Sequence, residues 1–436
     1  MAGIYGAIKR NRSTAIGANA YAFGDSISTY TQAHGSSSIA NMWSSLFKAA
    51  NAAYVWAETA QSGAEIYDMI TNTVYNQAQF ASGDLCVGLL AVNEMRFYPP
   101  TETFRFDEKQ KISSYLAWMA TPETLKTRAI VIGGATVNPA ITITGTWANL
   151  GVSAVTAYNA TQTVGDSVTL TLPKGDTIYI WLWKGQAYAG SVKVEVDGET
   201  VSTGGYYDSV NLSRTTFCPG FLRIDGLANT THTLKITALV NNVPIIFQGA
   251  ACFDSTFPLS TNVLVGNTLP MQGDSNIWGT AQYPVITGVG TVSSTGLTVT
   301  GAGSTFTQQV TVGSLIGPTS RSQMKTVTAV TNDTSLTTDM AFSPVLAAAS
   351  SYVIVDPATQ SVYQAGAART YWSAIISEVV AMLYNDGFNV VLVDVNAFYD
   401  ANGMCADLIH PNDFGHLLIS RLMTRRFKDL INGYVK

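Results

Sequence analysis

Short apolar segments typical of buried parallel strands are spread along almost the whole chain, and this spread limits how the protein can fold. Residues 85–92 form a continuous apolar run, as expected for a strand covered on both faces of a parallel sheet. Neither of the two α/β stretches alone holds enough strands and helices to cover a sheet. The sequence therefore predicts one α/β domain assembled from distant segments. Its other predicted strands lie at 21–23, 54–56, 262–266 and 390–395, and its helices include 39–53, 64–80, 107–119 and 415–431.

Two β-rich regions interrupt this pattern. From about 128 to 253, short segments alternate apolar and polar residues with turn signals between them, which predicts a β-sandwich of the jelly-roll kind. A second region, from about 284 to 356, is dense in Thr, Ser, Val and Gly. The predicted organisation is an α/β domain in three parts (1–127, 256–283 and 357–436) with an inserted sandwich (128–255) and an inserted small β module (284–356).

Composition excludes several classes of protein. Charged residues make up 12% of the 436 residues and apolar residues 47%, a balance that excludes intrinsic disorder. A net charge of −5 argues against a nucleic-acid-binding surface, which would be basic. No segment approaches the roughly 18 consecutive apolar residues of a membrane span. Residues 1–16 lack the apolar core of a secretory signal peptide.

The cysteines predict neither a metal centre nor a disulfide framework. Cys86, Cys218, Cys252 and Cys405 form no CxxC pair and have no histidine at ligand spacing, so buried free thiols are expected. No metal and no cofactor is predicted. Two locations stay open on this ground: a reducing cytoplasm, or export by a route that needs no signal peptide.

A nucleophile and a base are predicted near opposite ends of the chain. Ser26, in Gly24-Asp25-Ser26, follows the first strand, and the reactive site of an open α/β sheet lies beyond the carboxyl ends of its strands. Asp407 and His410 stand at i, i+3 spacing. The Asp407 carboxylate can therefore accept from Nδ1 of His410, which leaves Nε2 as a base.

Donors for an oxyanion are predicted between these two ends. Gly63 follows the second predicted strand and Asn93 the third. The backbone N–H groups of Ser26 and Gly63 and the amide of Asn93 can converge on the negative charge of an acyl-transfer intermediate.

Taken in order, these blocks resemble those of the SGNH (GDSL) hydrolase family. The resemblance covers Gly-Asp-Ser, a Gly after the second strand, an Asn after the third, and Asp-x-x-His-Pro-Asn. It implies a flavodoxin-like three-layer fold and ester hydrolysis through an acyl-enzyme without a cofactor. The implied roles are Ser26 as nucleophile, His410 as general base, Asp407 as its orienting partner, and Ser26, Gly63 and Asn93 as the oxyanion hole.

The third block departs from the family pattern. The family reads Gly-x-Asn-Asp, whereas Ala91 and Glu94 stand here in place of the Gly and the Asp. The role of Asn93 follows from the resemblance, but the pose of its amide and the width of the acyl pocket do not.

Four residues are candidates for substrate contact, each with an alternative. Glu94 and Arg96, beside the third block, are either solvated charges at the rim of the site or substrate contacts. Trp181 and Trp183 lie on one face of a predicted strand. That face is either a platform on which sugars stack or one buried side of an interior strand.

Several residues that imitate the site are assigned other roles. Gly-Asp-Ser also ends at Ser167 and Ser275, but Ser167 leads into an alternating strand and Ser275 comes too late in the chain. His416 is predicted to pack or cap the last helix rather than act as a second base. No role is predicted for His34 or His232.

The two inserted regions carry further resemblances. The sandwich resembles the jelly-roll insert of some SGNH carbohydrate esterases. Residues 284–356 resemble small β-domains of bacteriophage tail and fibre proteins, which implies a virion protein that meets a bacterial surface glycan; a stiff spacer is the alternative. The implied partners are capsule or O-antigen polysaccharide and other phage tail proteins. Tail spikes are commonly trimeric, so a homotrimer is one alternative, although no heptads or β-helix repeats enforce it.

The predicted function is a serine esterase that removes O-acetyl or similar acyl groups from a bacterial surface polysaccharide. It is expected in the phage tail, acting outside the cell on the host surface. Two alternatives remain: a non-catalytic receptor-binding tail protein that grips glycan, and a bacterial esterase for small or lipid esters.

Overall fold

The computed structural model describes most of the chain. The described residues are 17–97, 102–131, 138–149, 158–160, 163–184, 192–204, 218–239, 246–254, 260–270, 285–319, 323–355, 371–406 and 409–432. No helix among them has the length and apolar character needed to cross a membrane.

The secondary structure consists of many short strands and a few long helices. The strands are β1 (Asn19–Gly24), β2 (Val55–Glu58), β3 (Leu85–Leu89), β4 (Lys126–Arg128), β5 (Ile141–Thr144), β6 (Trp147–Asn149), β7 (Tyr158–Ala160), β8 (Ser167–Gly175), β9 (Thr177–Lys184), β10 (Val192–Val196), β11 (Glu199–Gly204), β12 (Cys218–Ile224), β13 (Thr230–Ala238), β14 (Ile246–Phe253), β15 (Asn262–Gly266), β16 (Val285–Thr287), β17 (Thr291–Thr295), β18 (Thr298–Ala302), β19 (Leu315–Pro318), β20 (Lys325–Asn332), β21 (Ser335–Thr338), β22 (Tyr352–Val355) and β23 (Val390–Val393). The helices are α1 (Trp43–Ala50), α2 (Ile66–Ile70), α3 (Thr73–Gln77), α4 (Val92–Phe97), α5 (Glu102–Ala120), α6 (Phe306–Gln309), α7 (Ser373–Asn385), α8 (Ala401–Met404) and α9 (Asp413–Ile431).

A five-stranded parallel sheet lies at the centre of the α/β part. Its order is β2-β1-β3-β15-β23, and every neighbouring pair runs parallel. Strands β3 and β15 are buried along their whole length, as the continuous apolar runs predict. Helix α1 packs on α9, and α5 packs on α7. The described chain between β3 and β15 forms two other sheets, and that between β15 and β23 forms a third.

The first β-rich region forms two antiparallel sheets around one core. One sheet has the order β11-β10-β13-β8-β5 and the other β12-β9-β14-β7-β6, with β4 paired to β14. Alternate residues of β8, β10 and β13 point into this core, together with Ile178, Ile180 and Leu182 of β9. Period-two alternation accounts for the inward face of the first sheet, whereas β14 of the second sheet is buried along its whole length.

The second β-rich region forms a seven-stranded antiparallel sheet with the order β16-β22-β19-β20-β21-β18-β17. It has its own apolar core, whose largest members include Phe306 and Tyr352. Leu315, Met324 and Val353 join the core of the α/β part instead. The module is therefore packed against the parallel sheet's domain rather than tethered to it.

The predicted fold class is confirmed as a mixed α/β chain with several β-sheets. The limits of some elements differ from the predictions. The apolar run 85–92 is a strand only as far as Leu89, because Ala91 turns the backbone and Val92 begins α4. The predicted helix 39–53 is a short 3₁₀ helix (Ile39–Asn41) followed by α1, and the predicted helix 64–80 is divided into α2 and α3.

The predicted domain limits stay a prediction. Those at 255, 283 and 356 lie outside the described residues, and the limit at 127 falls inside β4. Cys86, Cys252 and Cys405 are buried thiols outside any disulfide, which confirms the prediction for these three cysteines.

Candidate active site

The end of β1 places Ser26 in a tight turn. Gly24 has a φ of +118°, and a Cβ there would collide with the carbonyl oxygen of Leu89 and lie 2.6 Å from Ser28 Oγ. Only glycine fits such a position. The backbone N–H of Ile27 donates to Asp25 Oδ1 at 2.9 Å, which closes the turn around Ser26. Ser26 itself is 7% exposed, so neighbouring residues cover most of its surface.

His410 lies next to Ser26 in the fold, although the two residues are far apart in the sequence. Its Nε2 lies 3.0 Å from Ser26 Oγ, although 384 positions separate the two residues. The N–H of Ala406 donates to the His410 carbonyl at 2.8 Å, and the N–H of Asn412 donates to the Met404 carbonyl at 2.6 Å. These two hydrogen bonds hold His410 three residues before the start of α9. The hydroxyl and imidazole are thus within hydrogen-bonding distance.

Asp407, the predicted orienting carboxylate, lies outside the described residues. So does Ser275 of the third Gly-Asp-Ser. Ser167 is the first residue of β8 and pairs with β5 and β13 of the sandwich, so it belongs to a different region from Ser26.

The segment that carries Gly63 is fastened to the end of β1 on one side and to the start of α4 on the other. The N–H of Gln61 donates to the Gly24 carbonyl at 3.0 Å, directly before the turn that carries Ser26. Gly63 is exposed and has a φ of +73°. On its far side, Asn93 Nδ2 donates to the Ala64 carbonyl at 2.9 Å. The structure therefore brings the segment of Gly63 beside both Gly24 and Asn93, at the carboxyl edge of the parallel sheet.

Glu94 is a buried anchor and not a rim residue. It is 1% exposed, and its carboxylate accepts the backbone N–H of Ile66 at the start of α2. Burial, and then the charge of the nearby Glu108, raise the pKa of Glu94 well above its ordinary value. Glu108 is itself paired with the buried Lys111, whose Nζ lies 2.6 Å from Glu108 Oε1. The expectation of a solvated charge or a substrate contact at Glu94 is therefore wrong.

Trp181 is also in the interior. It is fully buried, and its indole N–H donates to the Ser114 carbonyl of α5 at 3.1 Å. Its ring packs edge-to-face on Trp118 with centroids 5.0 Å apart. The neighbouring Tyr179 packs on Phe388 in the same interface. The aromatic side of β9 therefore joins the sandwich to the α/β part, and the sugar-platform alternative is wrong for Trp181.

The other two predicted substrate contacts, Arg96 and Trp183, stay predictions. Arg96 lies in α4 and Trp183 in β9, and both side chains are outside the described part of the structure.

Two histidines lie close to His410, and only one of them had a predicted role. His416 is fully buried; its Nδ1 accepts the backbone N–H of Trp43 at 3.3 Å and its Nε2 donates to the His34 carbonyl at 3.1 Å. Burial lowers the pKa of His416 to about 4. It is thus a neutral packing residue, as predicted. The ring of His34 stacks on that of His410. No sequence spacing links His34 to His410, so only the folded structure reveals this contact.

No group of three or more His, Cys, Asp or Glu side chains suited to a metal ion occurs among the described residues.

Comparisons with known proteins give similarities at low identity. No family model matches the chain, and no curated protein matches it. Among solved structures, a two-domain esterase active on acetylated mannans is 11% identical over 54% of this chain and 90% of that chain, with a TM-score of 0.29. A family two carbohydrate esterase from Cellvibrio japonicus is 10% identical over 36% and 43%, with a TM-score of 0.23. A family 35 carbohydrate binding module from an environmental isolate is 18% identical over 25% and 82%, with a TM-score of 0.21. Carbohydrate esterases and carbohydrate-binding modules are thus among the structures this chain is similar to.

Proposed function

We propose that this chain is a serine esterase of the SGNH type that removes O-acetyl or similar acyl groups from a polysaccharide. The observation that carries the proposal is the 3.0 Å distance between Ser26 Oγ and His410 Nε2. A hydroxyl within hydrogen-bond reach of an imidazole nitrogen is the arrangement of an activated nucleophile. The strand order β2-β1-β3-β15-β23 also supports it, because flavodoxin-like sheets, which the family resemblance implies, have this order.

In the first half-reaction, Ser26 Oγ attacks the carbonyl carbon of the ester while His410 Nε2 takes the hydroxyl proton. The electron pair of the carbonyl bond moves to its oxygen. The proposed donors to this oxyanion are the N–H groups of Ser26 and Gly63 and the amide of Asn93. Collapse of the intermediate breaks the bond to the sugar oxygen, which receives the proton from His410, and the acyl group stays on Ser26.

In the second half-reaction, His410 takes a proton from water, and the resulting hydroxide attacks the acyl-Ser26 carbonyl. Collapse returns the proton to Ser26 Oγ and releases the carboxylic acid. The proposal gives Asp407 the role of orienting His410 through Nδ1, and this role rests on the sequence spacing alone. Asp407→Asn is expected to lower kcat by about four orders of magnitude.

Hydrolysis of p-nitrophenyl acetate by the full chain tests the nucleophile. Ser26→Ala is expected to lower kcat/KM by at least about a thousandfold, because it removes the attacking atom. Ser167→Ala is a matched control, since it alters the Gly-Asp-Ser of β8 and should leave turnover unchanged. Equal turnover by Ser26→Ala and the native chain would overturn the assignment.

The substrate is tested by acetate release, followed by NMR, from a panel of acetylated capsule and O-antigen polysaccharides. We expect the native chain to release acetate from at least one of these polysaccharides. Neither the deacetylated form of that polysaccharide nor the Ser26→Ala variant should give acetate. Glycan binding without acyl release would favour a receptor-binding protein instead. Turnover of small or lipid esters alone would favour a general esterase.

The proposed location is a phage tail, where the enzyme would meet the host polysaccharide and other tail proteins. Its support is the resemblance of residues 284–356 to tail and fibre modules. Mass spectrometry of purified virions of a phage encoding this chain is expected to detect it, and its absence from washed virions would contradict this part of the proposal. Light scattering of the purified chain tests the homotrimer, which predicts three times the mass of 46.5 kDa.

A further inference from the structure

A second imidazole ring covers one face of the proposed base. The rings of His34 and His410 stack with their centroids 5.3 Å apart and their planes inclined by 23°. His34 is half-buried and lies in the segment between the turn that carries Ser26 and α1. Its Nε2 lies 3.2 Å from Gln32 Oε1, a contact that orients the ring within its own segment.

The backbone of His34 is held independently of its ring. Its carbonyl accepts from Nε2 of the buried His416 at 3.1 Å, and its N–H contacts Met42 Sδ at 3.5 Å. Gly35 has a φ of +73°, and a Cβ there would lie 2.7 Å from His410 Cβ. Glycine therefore lets this segment approach His410 so closely.

The segment is fastened to α9 on its other side by Asp413. The Asp413 carboxylate accepts from Ser36 Oγ at 2.5 Å, from the Ser37 N–H at 2.9 Å and from Asn41 Nδ2 at 3.2 Å. Helix α9 thus begins three residues after His410 and also holds the segment that presents His34. Removing only the ring of His34 leaves all of these backbone and side-chain anchors in place.

We propose that His34 is a positioning residue for His410. Its ring limits rotation of the His410 imidazole and keeps Nε2 within reach of Ser26 Oγ. This inference rests on the proposed role of His410 as the base. A flat ring is sufficient for this role, so it requires neither a titrating group nor contact with substrate.

Steady-state kinetics of the full chain on p-nitrophenyl acetate test the inference. His34→Ala is expected to lower kcat by about ten- to a hundredfold with KM little changed, because misplacing a reacting group by about 1 Å has effects of this size. His34→Phe, which restores a flat ring, should recover most of kcat. Ser38→Ala, in the same segment, is the control and should behave as the native chain.

An unchanged kcat in His34→Ala, or a His34→Phe variant no faster than His34→Ala, would overturn the proposal. A crystal structure of His34→Ala separates this outcome from failure of the proposed function. The His410 ring is expected to rotate or to occupy more than one rotamer. A His410 ring in one conformation, with Nε2 still 3.0 Å from Ser26 Oγ, would overturn the inference whether or not the chain hydrolyses esters.

Discussion

Asn93 Nδ2 donates to the carbonyl oxygen of Ala64 at 2.9 Å, which ties the start of α4 to the residue after Gly63. The next residue along, Glu94, accepts the N–H of Ile66. Two consecutive side chains of one helix thus hold the segment that presents Gly63. The geometry of the proposed oxyanion hole depends on both contacts.

Glu94→Ala is expected to lower both stability and kcat. It leaves the buried N–H of Ile66 without its acceptor, which costs about 1–3 kcal/mol of unfolding free energy, and it releases the segment of Gly63. Urea unfolding at pH 7 and kcat on p-nitrophenyl acetate measure the two effects.

Glu94→Gln is the matched variant. Because the pKa of Glu94 is raised in the folded state, its ionised form is unfavourable there, and the native chain loses stability as the pH rises through the folded value. Glutamine keeps an acceptor for Ile66 and carries no charge. We expect its unfolding free energy at pH 7 to equal or exceed that of the native chain; a loss as large as that of Glu94→Ala would contradict this.

Ala91→Gly is expected to stabilise the protein. Ala91 has a φ of +69°, in the left-handed region, and it stands where the SGNH pattern has glycine. Relief of about 1–2 kcal/mol of backbone strain, less about 0.4–1 kcal/mol for the more flexible unfolded chain, leaves a net gain of about 0.5–1 kcal/mol. Thermal unfolding measures it. Ala349→Gly, at a φ of +63° in the second β region, is expected to stabilise the protein for the same reason. A lower melting temperature for Ala91→Gly would refute the expectation.

His416 is expected to make the protein less stable in acid. Burial lowers its pKa to about 4 in the folded state, against about 6.5 in the unfolded chain, so the unfolded state binds the extra proton first as the pH falls. The free energy of unfolding should therefore drop between pH 6.5 and 4, by up to about 3 kcal/mol from this residue. His416→Gln, which cannot titrate, should flatten this part of the profile measured by urea unfolding. An unchanged slope would show that His416 is not the titrating group.

His232 in the sandwich is expected to act in the opposite direction. Nδ1 lies 2.7 Å from Asp197 Oδ2, and Nε2 lies 2.8 Å from the Ala228 carbonyl and 3.0 Å from that of Gly175. Burial lowers the pKa of His232, but these three acceptors together outweigh it and raise the pKa. A raised folded pKa gives stability that is fully present below about pH 6.5 and is lost as the pH rises through the folded value.

Asp197, the partner of His232, determines the pH below which the pair no longer stabilises the protein. The hydrogen bonds from the Thr233 N–H and from His232 lower the pKa of Asp197, so its contribution is lost as the pH falls below about 4. The pair is therefore most stabilising between about pH 4 and 6.5. Calorimetry of His232→Gln should show its largest loss of melting temperature in that window, and a uniform loss at all pH values would disprove the pairing.

The sequence predicted the parts of the fold that depend on local pattern. The buried strands β3 and β15 have continuous apolar runs, and the strands of the sandwich alternate with period two, so both follow from residue type alone. The division of the predicted helix 39–53 did not follow, because it depends on Asn41 and Trp43 bonding to Asp413 and His416 of α9. Such contacts between distant segments leave no periodicity.

The candidate site shows the same division. Strand ends and spacing predicted Ser26 and His410, and the structure brings them together. Glu94 was misassigned, because a buried acid has the same local sequence as an exposed one. The two alternatives for Trp181 could not be separated, because a strand covered on both faces has the same sequence as an exposed aromatic stripe; the structure shows the buried one. No pattern in the sequence pointed to His34, because its ring comes next to that of His410 only when the chain folds.

Because 384 positions separate Ser26 from His410, the ribosome makes Ser26 long before it makes His410. At roughly 5–20 residues per second, a ribosome needs roughly 20–80 s to make the chain between them. Both antiparallel regions have their own cores and are complete before His410 emerges, whereas β1, β2 and β3 must wait for β23. The nascent chain therefore carries the Ser26 hydroxyl without the imidazole of His410 while both antiparallel regions are made, and the proposed hydrolysis cannot begin before His410 has been synthesised.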